Sequence, residues 1–433
     1  MTYESAITYL DSFVNYEKET SFDYPEAFKL DRMRALAKEF GNPQNAYDSV
    51  LIAGSKGKGS TAAFLSSILR MENWRVGLYT SPHLKDVRER IQVNGLWINE
   101  RRVEEFSARL KKIQEEYAWK KNPPTYFEVL TVLAFHTFKE MKVHVAVLEV
   151  GLGGLYDSTN IAPAKVVGLT PVSLEHTDKL GKTVSKIAVQ KCGIIKERQI
   201  VVSSPQASAA QSVIEQTSRD RGAELLFVGK DIRIFERGHG EDFQQLDVRT
   251  PWGNFYNLEI RLRGNHQMEN AALALGLAKA LEKKTRLTIS ESAVRQGLLD
   301  ARWPGRLEKI SDKPKIVLDG AHTVDSVRKM LEALKRHFKF SNLLVVFGTS
   351  SDKDAQGMLR ELDEDAKCFI FTECRHPRAM SLGVLTEKAP VSTRKIFQEP
   401  SGDAALEKAR SLAGPEDLIL VTGSLFLVGE IRR

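Results

Sequence analysis

The segment Ser49-Val-Leu-Ile-Ala53, followed directly by Gly54-Ser-Lys-Gly-Lys-Gly-Ser-Thr61, constrains this chain more than any other stretch. A short apolar run reads as a buried strand, and the small, periodic residues from Ser60 to Met71 read as the helix it feeds. Between them, Gly54, Gly57 and Gly59 allow backbone conformations and close approaches that bulkier residues resist, so successive N–H groups can converge on phosphate oxygens. Lys58 supplies a point charge, Ser60 or Thr61 a hydroxyl for phosphate or Mg²⁺, and the positive end of the helix completes an anion site. Strand, glycine turn and helix in that order predict a loop that holds the phosphates of ATP. The pattern GxxxxGK[ST] is not met literally, because Gly59 follows Lys58; the competing reading is a tight turn with an incidental lysine.

Apolar runs of strand length continue to alternate with helical segments. Val76 to Thr80, His144 to Val150 and Lys165 to Thr170 read as further buried strands, which indicates a parallel sheet covered on both faces. From about Glu224 to Ile260 the pattern changes to short strands between Gly and Pro turns, read as a small antiparallel appendage. Helices are expected over Asn270 to Leu281 and Ser290 to Leu299. Pro304 and Gly305 then interrupt the pattern, so Asp300 to Leu307 reads as a hinge. Beyond it a second alternation begins: strands at Lys315 to Asp319, Leu343 to Phe347, Cys368 to Thr372 and Leu418 to Val421, with helices at Val324 to Phe338 and Asp403 to Leu412. The expected architecture is α/β throughout: a phosphate-loop, parallel-sheet ATPase domain with its appendage over 1–298, and a smaller Rossmann-like domain over 299–433.

Composition narrows the function classes. The 433 residues are 42% hydrophobic and 27% charged, as in soluble globular proteins, and no apolar run approaches the length that spans a bilayer. The first twenty residues carry acids early and lack a basic start followed by an apolar stretch, unlike a secretory signal. The net charge of +7 is dispersed, without the dense basic stripe of a nucleic-acid binder. Three cysteines, Cys192, Cys368 and Cys374, show no CxxC spacing, which argues for a reducing compartment, by default the cytoplasm, and against a cysteine-ligated zinc site.

The loop AGSKGKGST resembles that of the folylpolyglutamate and dihydrofolate synthases of the Mur ligase superfamily, where it commonly reads GTNGKGS. Further segments match that family in order: Thr80-Ser-Pro-His-Leu84 with Arg88-Glu-Arg-Ile91, Tyr126-Phe-Glu128, Leu148-Glu-Val-Gly-Leu-Gly-Gly154 with Asp157-Ser-Thr-Asn160, and His176-Thr-Asp178 with Leu180-Gly181. Gln190-Lys-Cys-Gly-Ile-Ile195, His266-Gln267 with Asn270-Ala-Ala272, Pro304-Gly-Arg306, Asp319-Gly-Ala-His322 and Thr422-Gly-Ser-Leu-Phe-Leu-Val428 complete the series. The resemblance implies ATP-dependent amide formation: a substrate carboxylate attacks the γ-phosphate, and the amine of L-glutamate displaces phosphate from the acyl phosphate. Members of the family are mostly monomeric.

The same resemblance suggests roles. Glu149, at the C-terminal end of a predicted central strand where α/β ligand sites lie, is assigned with Ser81 and His176 to Mg²⁺. Lys191 matches a lysine that is carbamylated in this family and helps hold a second Mg²⁺; carbamylation requires a locally neutral amine. Asn270 and Arg306 are expected at the base or phosphates of the nucleotide and Asp319 at the ribose. His322, and with it Ser424, is expected near the incoming glutamate, and Lys58, Lys191 and His322 form the expected catalytic set. The pteridine end of a folate or dihydropteroate is expected near Thr125, Tyr126, Phe127 and Glu128, and near Tyr156, Asp157 and Ser158. Tyr126 or Phe127 could lie against a flat ring or belong to the core, and Asp157 could bond a ring amino group.

Three departures from the family pattern bear on the acceptor rather than on ATP. Many members carry an Arg where Leu155-Tyr156 precede Asp157, Thr323 stands where DGAHN has Asn, and Leu30-Asp-Arg-Met33 matches the pterin-holding segment loosely. Two other readings stand beside the folate ligase: a Mur-type ligase acting on a peptidoglycan precursor, and a nucleotide-dependent binding protein without ligase chemistry. The second gives no reason for Glu149, His176, Lys191, Arg306 and Asp319 to occur in family order.

Overall fold

The chain is described here by a computed structural model over residues 1–19, 28–116, 122–389 and 394–432. The first strand, β1 (Asp48–Ala53), lies in the middle of a sheet because its run from Val50 to Ala53 is apolar and can be covered on both faces. With β2 (Val76–Tyr79), β3 (Ile91–Val93), β4 (Leu96–Trp97), β5 (Val145–Glu149), β6 (Val166–Leu169), β7 (Ile200–Ser203) and β8 (Glu224–Phe227) it forms one sheet of order β4-β3-β2-β5-β1-β6-β7-β8. All neighbours from β2 to β8 pair in parallel, and β3 and β4 extend the edge in antiparallel fashion.

Alternation along β1 divides the core. Leu51 and Ala53 join the cluster under helix Tyr126–Glu140, whereas Val50 and Ile52 join the cluster under helices Lys58–Arg70, Asn265–Lys284 and Glu291–Asp300. Register then brings the carboxyl ends together: Ile52 pairs with Glu149 and Ala53 with Leu169, so the phosphate loop, Glu149 and the segment after β6 emerge on one edge.

The appendage is smaller than the sequence suggests. Glu224–Phe227, expected within it, is the parallel edge strand β8 of the large sheet, paired with β7. The antiparallel unit comprises β9 (Arg233–His239), β10 (Gln244–Thr250) and β11 (Gly253–Ile260), packed on helices Asn265–Lys284 and Glu291–Asp300. Beyond the proline-glycine segment, a second sheet has the order β12-β13-β17-β14-β15-β16, from β12 (Glu308–Asp312), β13 (Lys315–Leu318), β14 (Leu343–Phe347), β15 (Ala366–Thr372), β16 (Lys395–Glu399) and β17 (Leu418–Thr422). Only β12 runs antiparallel to its neighbour. Its polar sequence, Glu-Lys-Ile-Ser-Asp, gives no strand signal and suits an edge.

The C-terminal domain makes polar contacts with the antiparallel unit and with helix Asn265–Lys284. Arg263 donates to the Leu307 carbonyl at 2.8 Å, Lys309 to Glu241 at 2.8 Å, and Arg336 to Asn265 at 2.6 Å. No helix among the described residues is long and apolar enough to cross a membrane.

The helix carrying the phosphate loop is seated by one close approach. A Cβ at Gly297 would collide with the backbone of Ile68 in helix Lys58–Arg70. Gly297→Val should lower unfolding free energy by about 1–3 kcal/mol, read from a denaturant midpoint; an unchanged midpoint contradicts this packing.

Candidate active site

Two glycines show why the loop has its sequence. Gly57 caps helix Lys58–Arg70 with φ +90°, and a Cβ there would sit 2.5 Å from Asn270 Oδ1. Gly59 is helical, yet a Cβ on it would lie 2.7 Å from the Trp303 ring. The glycine after Lys58 thus admits the indole of the segment that joins the two domains.

Cations gather around this turn. Lys58 Nζ donates to the Gly54 carbonyl at 3.2 Å, and Lys191 Nζ reaches the same oxygen at 2.6 Å from helix Val184–Cys192. Burial, reinforced by neighbouring Lys58, lowers the Lys191 amine to about 7. Glu149 stands at the end of β5, within electrostatic reach of Lys58. Burial pushes its carboxyl up to about 7 against the pull of Lys58, and its one hydrogen bond among the described residues comes from the Ser81 N–H at 3.3 Å. His176 is held in a left-handed conformation with φ +51°, and burial lowers it to about 4. Glu149, Ser81 and His176 all line one cavity of about 1250 Å³ with the loop residues Gly54 to Gly59.

The opposite wall comes from the C-terminal domain. Arg306, just past the Pro304-Gly305 turn, His322, after β13, and Ser424, after β17, all border the cavity. His322 Nδ1 lies 2.8 Å from the Gly320 carbonyl, so that nitrogen carries the proton, and burial lowers the ring to about 3. Ser424 caps helix Leu425–Ile431 by accepting from the Phe426 N–H at 3.1 Å. Asp319 does not line the cavity: it accepts from the Leu307 N–H at 2.9 Å and the Ala321 N–H at 2.8 Å, and so holds the Arg306 and His322 segments together.

Several other residues singled out in the sequence lie behind the cavity wall. Ser60 and Thr61 are buried in the first helical turn, and Thr61 donates to Asn270 Oδ1 at 3.4 Å, joining the loop helix to helix Asn265–Lys284. Glu128 closes a capping box with Thr125 and forms an ion pair with Arg32 at 2.8 Å. Tyr156 packs with Phe28 and Leu180, and Ser158 is buried at the start of a short turn. Asp157 borders the cavity, but its two oxygens accept from Gly151, Leu152 and Thr159, which shapes the loop after β5. Thr125, Tyr126 and Phe127 do reach the cavity; Phe127 packs so closely on Gly151 that a Cβ there would be 2.6 Å from its ring.

Sequence reasoning passed over three features of this wall. Arg90, inside the matched Arg88-Glu-Arg-Ile91 segment, is fully buried, pairs with Glu17 at 2.6 Å and donates to His83 at 2.8 Å. Lys56 pairs with Glu175 at 2.6 Å. His376 stacks on Phe426 with ring centres 3.8 Å apart. The motif around Arg90 was a usable signal, whereas Glu17 lies in no recognisable pattern.

A phosphate-loop domain facing a second α/β domain across a cavity of lysines, a buried carboxylate and an arginine defines a nucleotide-dependent, two-domain ligase. Comparisons agree: residues 52–278 match the Mur ligase middle domain and residues 305–425 the Mur ligase glutamate ligase domain. The chain is 34% identical over 413 residues to a dihydrofolate synthase/folylpolyglutamate synthase of Bacillus subtilis, covering 93% of this chain and 94% of that one. It is 33% identical to the folylpolyglutamate synthase of Lacticaseibacillus casei, covering 100% and 98%. The structure of Mycobacterium tuberculosis folylpolyglutamate synthase complexed with ADP superposes with a TM-score of 0.90 at 28% identity, over 99% of this chain and 97% of that one. The chain belongs to the folylpolyglutamate/dihydrofolate synthase family and is an ATP-dependent ligase.

The raised Glu149 carboxyl makes a signed prediction. A buried acid that ionises near 7 when folded, and near 4.5 when unfolded, costs stability progressively as pH rises between those values. In chelator and without nucleotide, Glu149→Gln should therefore outmelt the wild type at pH 8 by on the order of 2–3 kcal/mol and match it near pH 4.5. A pH-independent difference contradicts the assignment.

Proposed function

We propose that this enzyme adds L-glutamate to a folate through an acyl phosphate, with dihydropteroate as the alternative acceptor to be tested. The observation that carries this reading is the convergence in one cavity of Lys58 and Glu149 from the first domain with Arg306 and His322 from the second. ATP lies along the loop with its phosphates on the backbone N–H groups and Lys58. The acceptor carboxylate attacks the γ-phosphorus and ADP leaves. The glutamate amine then attacks the acyl carbon, phosphate departs, and the amide nitrogen loses a proton. Lys58 and Arg306 neutralise charge that builds on the transferring group, and docking of the two domains keeps water from the acyl phosphate.

The donor set fits Mg²⁺. Among the described residues Glu149 is a buried carboxylate without a cationic hydrogen-bond partner, and Ser81 and His176 line the same cavity. These three residues would hold the ion, and Mg²⁺ bound there neutralises phosphate charge. Lys191, with its amine lowered to about 7, is suited to add CO₂ and release a proton, becoming a carbamate that supports a second ion. Asn270, Arg306 and Asp319 are proposed to serve the nucleotide, and His322 with Ser424 the glutamate. The acceptor's ring system is proposed to lie by Thr125, Tyr126 and Phe127. Residues 1–298 and 299–433 would act as the two domains of a monomer, in a reducing cytoplasm that suits its three free, buried cysteines.

The test is an incubation with ATP, Mg²⁺, L-glutamate and either tetrahydrofolate or dihydropteroate, read by phosphate release and product mass. One added glutamyl unit is expected on tetrahydrofolate, and the second arm shows whether dihydropteroate is an acceptor too. ATP turnover without such a product overturns the assignment, and product from a peptidoglycan precursor alone replaces it. Lys58→Ala should abolish turnover while circular dichroism stays unchanged; near-normal activity in that variant removes the loop from the chemistry.

A further inference from the structure

Lys56 has no part in the steps above, yet its side chain spans the gap between the two domains. Its Nζ lies 2.6 Å from Glu175 Oε1, on the segment after β6, and 3.5 Å from His322 Nε2, on the segment after β13. Glu175 is fixed in turn. Its carboxylate and the Lys56 amine form a close, partly buried ion pair on the cavity wall.

The tautomer of His322 gives this bridge a direction. The Gly320 carbonyl 2.8 Å from Nδ1 can only accept, so Nδ1 carries the proton and Nε2 presents a lone pair. An ammonium has three donors in a flexible head. One serves Glu175, one is in reach of Nε2, and the third remains for the cavity that both residues line. The imidazole is thereby clamped from two sides, by its own domain through Gly320 and by the phosphate loop through Lys56.

We propose that Lys56 is a positioning residue that fixes His322 across the domain boundary and so shapes the wall on which the incoming amino acid binds. This inference rests on the ligase reading above. Lys56 differs in its work from Lys58, whose amine turns back to the Gly54 and Ser55 carbonyls inside the loop. A lysine that served the nucleotide phosphates would show itself in ATP affinity. One that positions His322 shows itself in the use of glutamate.

The experiment compares wild type, Lys56→Met and Lys56→Arg in steady-state glutamate addition, with the affinity of a non-hydrolysable ATP analogue measured beside it. For Lys56→Met, the glutamate KM should rise about tenfold and kcat fall, with analogue affinity held within about twofold. Lys56→Arg, which keeps the charge and donors, should recover most of the loss. In a double-mutant cycle with His322→Asn, the two losses should be markedly less than additive. Lost analogue affinity with an unchanged glutamate KM overturns the proposal in favour of a phosphate ligand. An unchanged glutamate KM in Lys56→Met, or fully additive losses, also overturns it. Retained analogue binding by Lys56→Met separates these outcomes from misfolding. Absence of any glutamyl product from the wild type would sink the ligase reading itself, whereas wild-type product with unaltered variants sinks the role of Lys56 alone.

Discussion

Three lysines, Lys56, Lys58 and Lys191, crowd around one turn of backbone, and the rest of the site is arranged to tolerate their mutual repulsion. Lys58 and Lys191 share the Gly54 carbonyl, and Lys56 is matched by Glu175. Where no such partner is present, the surroundings adjust instead. Lys191 is buried next to two other cations and falls toward neutrality, and His176 and His322, also buried near lysines, remain neutral. Such concentrated positive charge in a shielded cavity is poorly balanced by protein alone and is suited to a triphosphate.

The fold places that charge. Because β1 is central and in register with β5 and β6, the loop, Glu149 and the Glu175-His176 segment emerge beside one another with little freedom to drift. The C-terminal sheet contributes in the same way, since its strands β13 and β17 are adjacent and lead directly into the segments that carry Asp319 and Ser424. Each half alone presents an open sheet edge. Chemistry that must exclude water requires both, and the contacts of Trp303 with Gly59 and of Lys56 with Glu175 and His322 link the loop to the domain that completes the cavity.

Most of the architecture is legible in the sequence because buried parallel strands are nearly continuous apolar runs, as in Val50 to Ala53 or Leu343 to Phe347. The elements that escape a sequence reading lack that signal. Glu224–Phe227 is followed by a glycine turn and resembles the start of a hairpin, but its partner is β7, which lies upstream beyond an intervening helix. The strand β12 is polar because it sits at an edge. At the site, residues belonging to a local pattern, such as Lys58, Glu149 and Arg306, stand out from sequence alone. Lys56 has no role that a local pattern reveals, since His322 stands 266 positions away and only the docking of two domains brings them together. Glu128 and Asp157 show the converse: their local patterns are visible, and the fold commits their oxygens to Arg32, a helix cap and a loop.

In the reaction proposed here, the cavity activates a carboxylate as an acyl phosphate before the amine arrives. That activation is tested most directly by following oxygen. With the acceptor carboxylate labelled with ¹⁸O, one labelled oxygen should appear in the released phosphate for each amide formed. Amide formation with unlabelled phosphate would contradict the account.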